Sequence, residues 1–143
     1  MNPITQTEYA EAIATLAKWA QGDTSAALPA ATVLLSAYNG QYWQLDITDL
    51  CHLDPDNYAA ALTVIRGRIE LRREPQYFLK NGDAVFRALW DQWERYHVNN
   101  RWKSTCGQCA GSGKVWQDGD DYGTLPRITC ARCGGDGLLE DQA

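Results

Sequence analysis

Cys106-Gly-Gln-Cys109-Ala-Gly-Ser-Gly113 and Cys130-Ala-Arg-Cys133-Gly-Gly-Asp-Gly137 are the stretches that decide how this chain of 143 residues folds. Both read Cys-x-x-Cys-x-Gly-x-Gly, and 20 residues lie between the two pairs. A Cys-x-x-Cys turn delivers two thiolates to one side of an ion, and Zn²⁺ takes four ligands in a tetrahedron at about 2.3 Å from each sulfur. Glycines after the second cysteine let the backbone fold back with positive φ and offer N–H groups to the sulfurs. A segment this small buries too little surface to fold alone, so metal binding supplies the missing folding free energy. The expectation is one structural Zn²⁺ held by Cys106, Cys109, Cys130 and Cys133. The alternative is a redox-active or disulfide-bonded pair. A catalytic zinc would keep an open position and draw on His or carboxylate ligands.

Working outward, residues 113–117 and 126–129 are expected to form two short strands. The turn-rich run Asp118-Gly-Asp-Asp-Tyr-Gly123 joins them, so each cysteine pair sits at one end of a hairpin. Composition changes near Asn100: the 43 residues after it hold eight glycines and four of the five cysteines. Before it, Ala, Leu, Tyr and Trp recur at helical spacing. Thr5-Gln-Thr-Glu8 fits a capping box opening a helix over residues 5–20, with Tyr9, Ile13, Leu16 and Ala20 on its apolar face. A second helix is expected over 28–38, with Pro29 in its first turn and Asn39-Gly40 ending it. Residues 42–47 alternate as a short strand or extended link. Asp54-Pro55 opens a third helix running to about residue 73, with Tyr58, Ala61, Leu62, Ile65, Ile69 and Leu71 as its apolar stripe. Gly82-Asp83 opens the fourth, with Val85, Phe86, Leu89, Trp90, Trp93 and Tyr96 on or near one face. The fold class is therefore mainly α: a small helical bundle over residues 1–100, then a zinc-stabilised β-hairpin module over 101–143.

The formal charge is −5, and neither part is basic: residues 1–100 carry 8 Lys/Arg against 12 Asp/Glu, and the rest carry 5 against 6. Phosphate-driven binding needs clustered cations, so nucleic acid is not the default partner. The N-terminus shows no basic-then-apolar leader and no stretch approaches about 18 apolar residues, so a soluble, cytoplasmic protein is expected. In a reducing compartment, cysteine pairs at this spacing favour metal over disulfides.

Several other residues invite a chemical role and receive a plainer one. Cys51-His52 lacks further ligands and reads as a semi-buried cysteine in a connection; His97 reads as a solvated or capping residue after the aromatic helix. Arg66, Arg68, Arg72 and Arg73, opposed by Glu70 and Glu74, read as a solvated helix face. The aspartates at 118, 120 and 121 lack the ligand spacing of a calcium loop. Gly111-Ser-Gly-Lys114 lacks the strand–loop–helix setting of a phosphate loop, and no catalytic constellation is present, so an enzyme is not expected. Of the six tryptophans most belong in a core. Trp102 and Trp116, with Arg127 and Arg132, are the candidates for contact with a partner, because exposed Trp and Arg dominate interface hot spots.

The Cys-x-x-Cys-x-Gly-x-Gly pair resembles the cysteine-rich repeat of DnaJ-type (Hsp40) chaperones, in which two such motifs bind one zinc. The likeness covers residues 104–139 and, without a His-Pro-Asp signature, carries no co-chaperone activity. Similar modules occur in small phage proteins, including lambdoid antitermination factors. In the helical part, Trp43-Gln-Leu-Asp-Ile-Thr-Asp-Leu50, Ala60-Ala-Leu-Thr-Val-Ile65 and Asn81-Gly-Asp-Ala-Val-Phe-Arg-Ala-Leu-Trp90 resemble an uncharacterised domain of small phage and mobile-element proteins, over residues 8–97. The resemblance implies a phage or plasmid origin. The expected function is then stoichiometric binding to a host protein in the bacterial cytoplasm, in its sharpest form as an anti-CRISPR-type inhibitor of a host defence complex. The alternative is a nucleic-acid-associated, antitermination-like transcription regulator with a structural zinc, in which Arg101, Lys103, Lys114, Arg127 and Arg132 share one face.

Overall fold

The computed structural model describes residues 1–140 and divides into two compact units, Met1–Val98 and a second beginning at Asn99. The first holds four α-helices: α1 (Gln6–Ala20), α2 (Ala27–Tyr38), α3 (Pro55–Glu70) and α4 (Gly82–Gln92). Short 3-10 segments at Ile47–His52, Pro75–Phe78 and Glu94–Tyr96 connect or extend them. No helix among the described residues is long and apolar enough to cross a membrane.

α1 starts where its sequence dictates. The Thr5 hydroxyl accepts from Glu8 N at 3.1 Å, and the Glu8 carboxylate accepts from Thr5 N at 2.8 Å, closing the capping box. α1 packs against both α2 and α3 and buries Tyr9, Ile13, Leu16 and Ala20. α2 is buried nearly all round, from Ala27 to Leu35, as expected of a helix with little polar face. α3 begins at the Asp54 cap, whose carboxylate accepts from Asn57 N at 2.8 Å. It stops at Glu70 rather than near Arg73, because Arg72 turns to φ 54.

Several expectations require comment in this unit. The apolar stripe assigned to α3 is only in part its buried face: Ala61 is buried and Ile65 and Leu71 pack against the core, whereas Tyr58, Leu62 and Ile69 are exposed and Asn57, Val64 and Gly67 are buried instead. The reason is close approach to α1, since a Cβ at Gly67 would overlap the Tyr9 ring and only small side chains fit there. Of the two readings of residues 42–47, short strand or extended link, the link is the one that forms, with no strand assigned there. Trp43 instead anchors the connection in the core, 1% exposed, and Val98 N donates to Tyr42 O at 3.0 Å. His97 is buried rather than solvated, with Tyr42, Trp43 and Trp90 rings around it at centroid distances of 5.3–5.6 Å. Cys51 is exposed, not semi-buried.

The second unit is two antiparallel ribbons rather than one hairpin. β2 (Lys114–Val115) pairs with β3 (Ile128–Thr129) as expected, although each strand is shorter. β1 (Ser104–Thr105) and β4 (Leu138–Leu139) form a second ribbon that the alternation of so few residues could not signal.

Candidate metal centre

Ser104–Val115 and Ile128–Leu139 are two copies of one turn, offset by 24 residues: Thr105 matches Thr129, Cys106 matches Cys130, Gly113 matches Gly137. Their contacts repeat as well. Cys106 N donates to Gly137 O and Cys130 N to Gly113 O, both at 2.9 Å, so each copy closes the other's ladder. Each turn runs from the end of one ribbon to the start of the other, which carries its two cysteines to the shared middle.

The four Sγ atoms of Cys106, Cys109, Cys130 and Cys133 all lie within 4.8 Å of one another. The matched pairs are 3.9 Å apart for Cys106–Cys130 and 3.7 Å for Cys109–Cys133. A disulfide requires about 2.05 Å, so these are free thiols gathered without a bond. A tetrahedral thiolate cage with metal–sulfur bonds of about 2.3 Å has edges of about 3.8 Å, and the two pair distances fall on either side of that length. The cluster is thus positioned to hold a metal ion. Cys106, Cys109 and Cys130 are buried, Cys133 is partly buried, and Val115 and Leu139 pack over them.

Backbone N–H groups complete the surroundings. Gly113 N donates to Cys109 Sγ at 3.3 Å and Gly137 N to Cys133 Sγ at 3.2 Å. Both glycines sit at φ 75, and a Cβ on either would overlap the carbonyl oxygen of Gly135 or Gly111 in the other copy. Burial alone pushes the Cys109 thiol up, but the N–H groups of Gly113 and Gly111, together with the Cys106 and Cys133 thiols, outweigh it and bring the pKa to about 7. The Cys133 thiol moves the other way: burial raises it, Cys109 and Cys130 add to the rise, and the N–H groups of Gly135 and Gly137 only partly oppose it.

The remaining candidates fall around this centre. Trp102 is 72% exposed with the Arg101 guanidinium 5.1 Å from its ring centroid. Trp116 is 57% exposed and carries Arg127 over its face at 5.1 Å. Arg127 also donates to Lys114 O at 2.8 Å and to Ser112 Oγ at 3.2 Å. Arg132 is exposed in the turn between Cys130 and Cys133, and Lys103 lies 3.5 Å from the Glu140 carboxylate. Asp120 is a turn organiser, accepting from Thr124 N and Leu125 N at 2.8 and 3.1 Å. The arginines of α3 are engaged within their own unit: Arg66 with Glu70 at 2.7 Å, Arg68 with Ala37 O at 2.8 Å, Arg73 over Phe78.

Residues 10–94 match the model of a family described as a family of unknown function (DUF7673). That span covers most of the helical unit and ends before Cys106, Cys109, Cys130 and Cys133. No curated protein and no solved structure matches the chain.

Proposed function

The chain belongs to DUF7673, a family of unknown function, and from that premise we infer that it is a non-catalytic binding protein whose C-terminal unit is built on one structural Zn²⁺. The observation that carries the reading is the set of four cysteine sulfurs within 4.8 Å. Four soft, buried thiolates at near-tetrahedral spacing suit zinc, and they leave no open coordination position for a substrate. The likeness to DnaJ-type repeats supports the same metal. Four thiolates on a divalent ion leave the centre with about two negative charges, which the glycine N–H groups soften.

The partner is a protein. Two exposed tryptophans, each with an arginine on its face, make a rigid apolar surface with a cationic edge, the chemistry that concentrates binding energy at protein interfaces. A nucleic-acid surface is less well supported, because Arg127 is engaged with Trp116, the Lys114 carbonyl and the Ser112 hydroxyl, and Lys103 faces Glu140. The phage resemblance makes a host protein the natural target, and a host defence complex the specific one to try first.

Elemental analysis of the full chain, purified under reducing conditions without added metal, tests the centre. About one zinc per chain is expected, with loss of zinc in Cys106→Ser. Pull-down from host lysate with the full chain and with a Trp102→Ala, Trp116→Ala variant tests the surface. Salt-insensitive capture that the variant loses supports a protein partner; steeply salt-dependent capture of nucleic acid favours the regulator reading instead.

A further inference from the structure

The core leaves Tyr58, Leu62 and Ile69 of α3 exposed, and with the half-buried Ile65 they are spaced four, three and four residues along one side of the helix. Its N-terminal half forms one wall of an apolar groove of ≈ 560 Å³, closed on the other side by Ile47, Leu50 and Leu53 from the preceding 3-10 segment. Ile47 is 78% exposed at the lip. Its C-terminal half ends in Ile69, which is 68% exposed and projects as a knob. Groove and knob are 11 residues apart, about 16 Å along the axis at 1.5 Å per residue.

Charge is divided the same way. The segment that lines the groove, residues 46–62, carries the carboxylates of Asp46, Asp49, Asp54 and Asp56 and no Lys or Arg, and the next cation along α3, Arg66, pairs with Glu70. Past the knob, Arg72 and Arg73 are both exposed, Arg73 over the Phe78 ring, while the neighbouring carboxylates are engaged nearby, Glu70 with Arg66 and Glu74 with Gln76. An apolar groove whose flanking segment is acidic and an apolar knob followed by two exposed arginines therefore lie at opposite ends of α3, pointing to a single occupant.

We propose that the groove takes the Ile69 end of α3 from a second copy of this chain, in a two-fold dimer with the two α3 helices antiparallel. A two-fold axis near residues 63–64 places Ile69 of each copy against Tyr58 and Leu62 of the other. It also sets Arg72 and Arg73 of each copy beside the aspartates of the other. The same patch serves both copies and both grooves are filled at once, so the assembly closes at two. Opposite charges at the ends fix the antiparallel sense, since a parallel pairing sets aspartates against aspartates.

Sedimentation velocity on the full, metal-loaded chain over a range of micromolar concentrations tests the dimer. A reversible monomer–dimer equilibrium is expected, weakening as salt is raised. Ile69→Glu and, separately, Leu62→Glu are expected to raise the dimer Kd at least tenfold. Both positions are exposed, so helical circular dichroism and Tm serve as controls for folding. A chain that stays monomeric throughout overturns the proposal, and so does a dimer indifferent to Ile69→Glu or an association that continues beyond two. A dimer indifferent to salt overturns the antiparallel pairing. A monomer whose groove instead takes a basic apolar peptide, lost in Leu62→Glu, assigns the groove to a foreign partner.

Discussion

Gly113 and Gly137 show how little freedom the metal centre leaves its residues. Each combines φ 75 with a neighbour's carbonyl oxygen where a Cβ would sit, and each gives its N–H to a cysteine sulfur. The left-handed backbone alone costs a non-glycine residue about 1–2 kcal/mol, and the overlap with backbone adds to that. Gly113→Ala is therefore expected to lower metal affinity by about tenfold or more, which 1.4 kcal/mol suffices to do. Competition against a chromophoric chelator would measure it, with Gly107→Ala, whose Cβ meets nothing, as the control. Tyr9 offers a second test. Burial pushes its pKa up from 10.0 to about 12, with Arg68 opposing, and its hydroxyl donates to Arg73 O at 2.9 Å. The folded chain thus holds the Tyr9 proton more tightly than the unfolded chain. The stability this brings is full below pH 10 and is lost as pH rises towards 12. The loss should be on the order of 2 kcal/mol. Urea titrations across that window should show the decline in the natural chain and a smaller one in Tyr9→Phe.

Among the elements, α3 separates what could be read in advance from what could not. Its start was legible because the Asp54 cap and Pro55 act locally, and so was the capping box of α1. Its buried face was legible only in part, because hydrophobicity alone ranks Leu62 and Ile69 above Asn57 and Gly67. What decides the face is how closely α1 approaches, and that depends on a ring 58 residues away in sequence. The sign of one substitution follows. In an open helix Gly→Ala stabilises by up to about 1 kcal/mol. At Gly67 the Tyr9 ring occupies the space, so Gly67→Ala is expected to destabilise by about 1–3 kcal/mol, as overpacking does. A rise in Tm on that change would refute the packing of α1 on α3. The cysteine cluster was legible for the opposite reason: spacing of ligands along the chain is itself the geometric constraint. The β1–β4 ribbon was not, since two residues on each side carry no periodicity.

On the scale of the whole chain, the two units are held together internally by different means. Met1–Val98 has a core of 18 buried hydrophobic residues, whereas the buried cluster of the second unit consists of Cys106, Cys109 and Cys130. A strong chelator under reducing conditions should therefore unfold one and spare the other. Hydrogen exchange would show it: the Cys106 and Cys130 amides, bonded to Gly137 O and Gly113 O, should lose protection while those of α1 and α3 keep theirs. The duplicated turn has a further consequence. A polypeptide carrying only one copy would have to borrow two sulfurs and a carbonyl from another molecule, and its hold on the ion would then vary with its own concentration. Residues 116–127 remove that dependence by tethering the copies, and a tether contributes through its length rather than its composition. Folding should then tolerate a reporter spliced near Asp118–Gly119, whereas on the proposed reading Trp116 and Arg127 at the tether's two ends answer to recognition instead. The same dozen residues would be permissive for assembly and restrictive for binding.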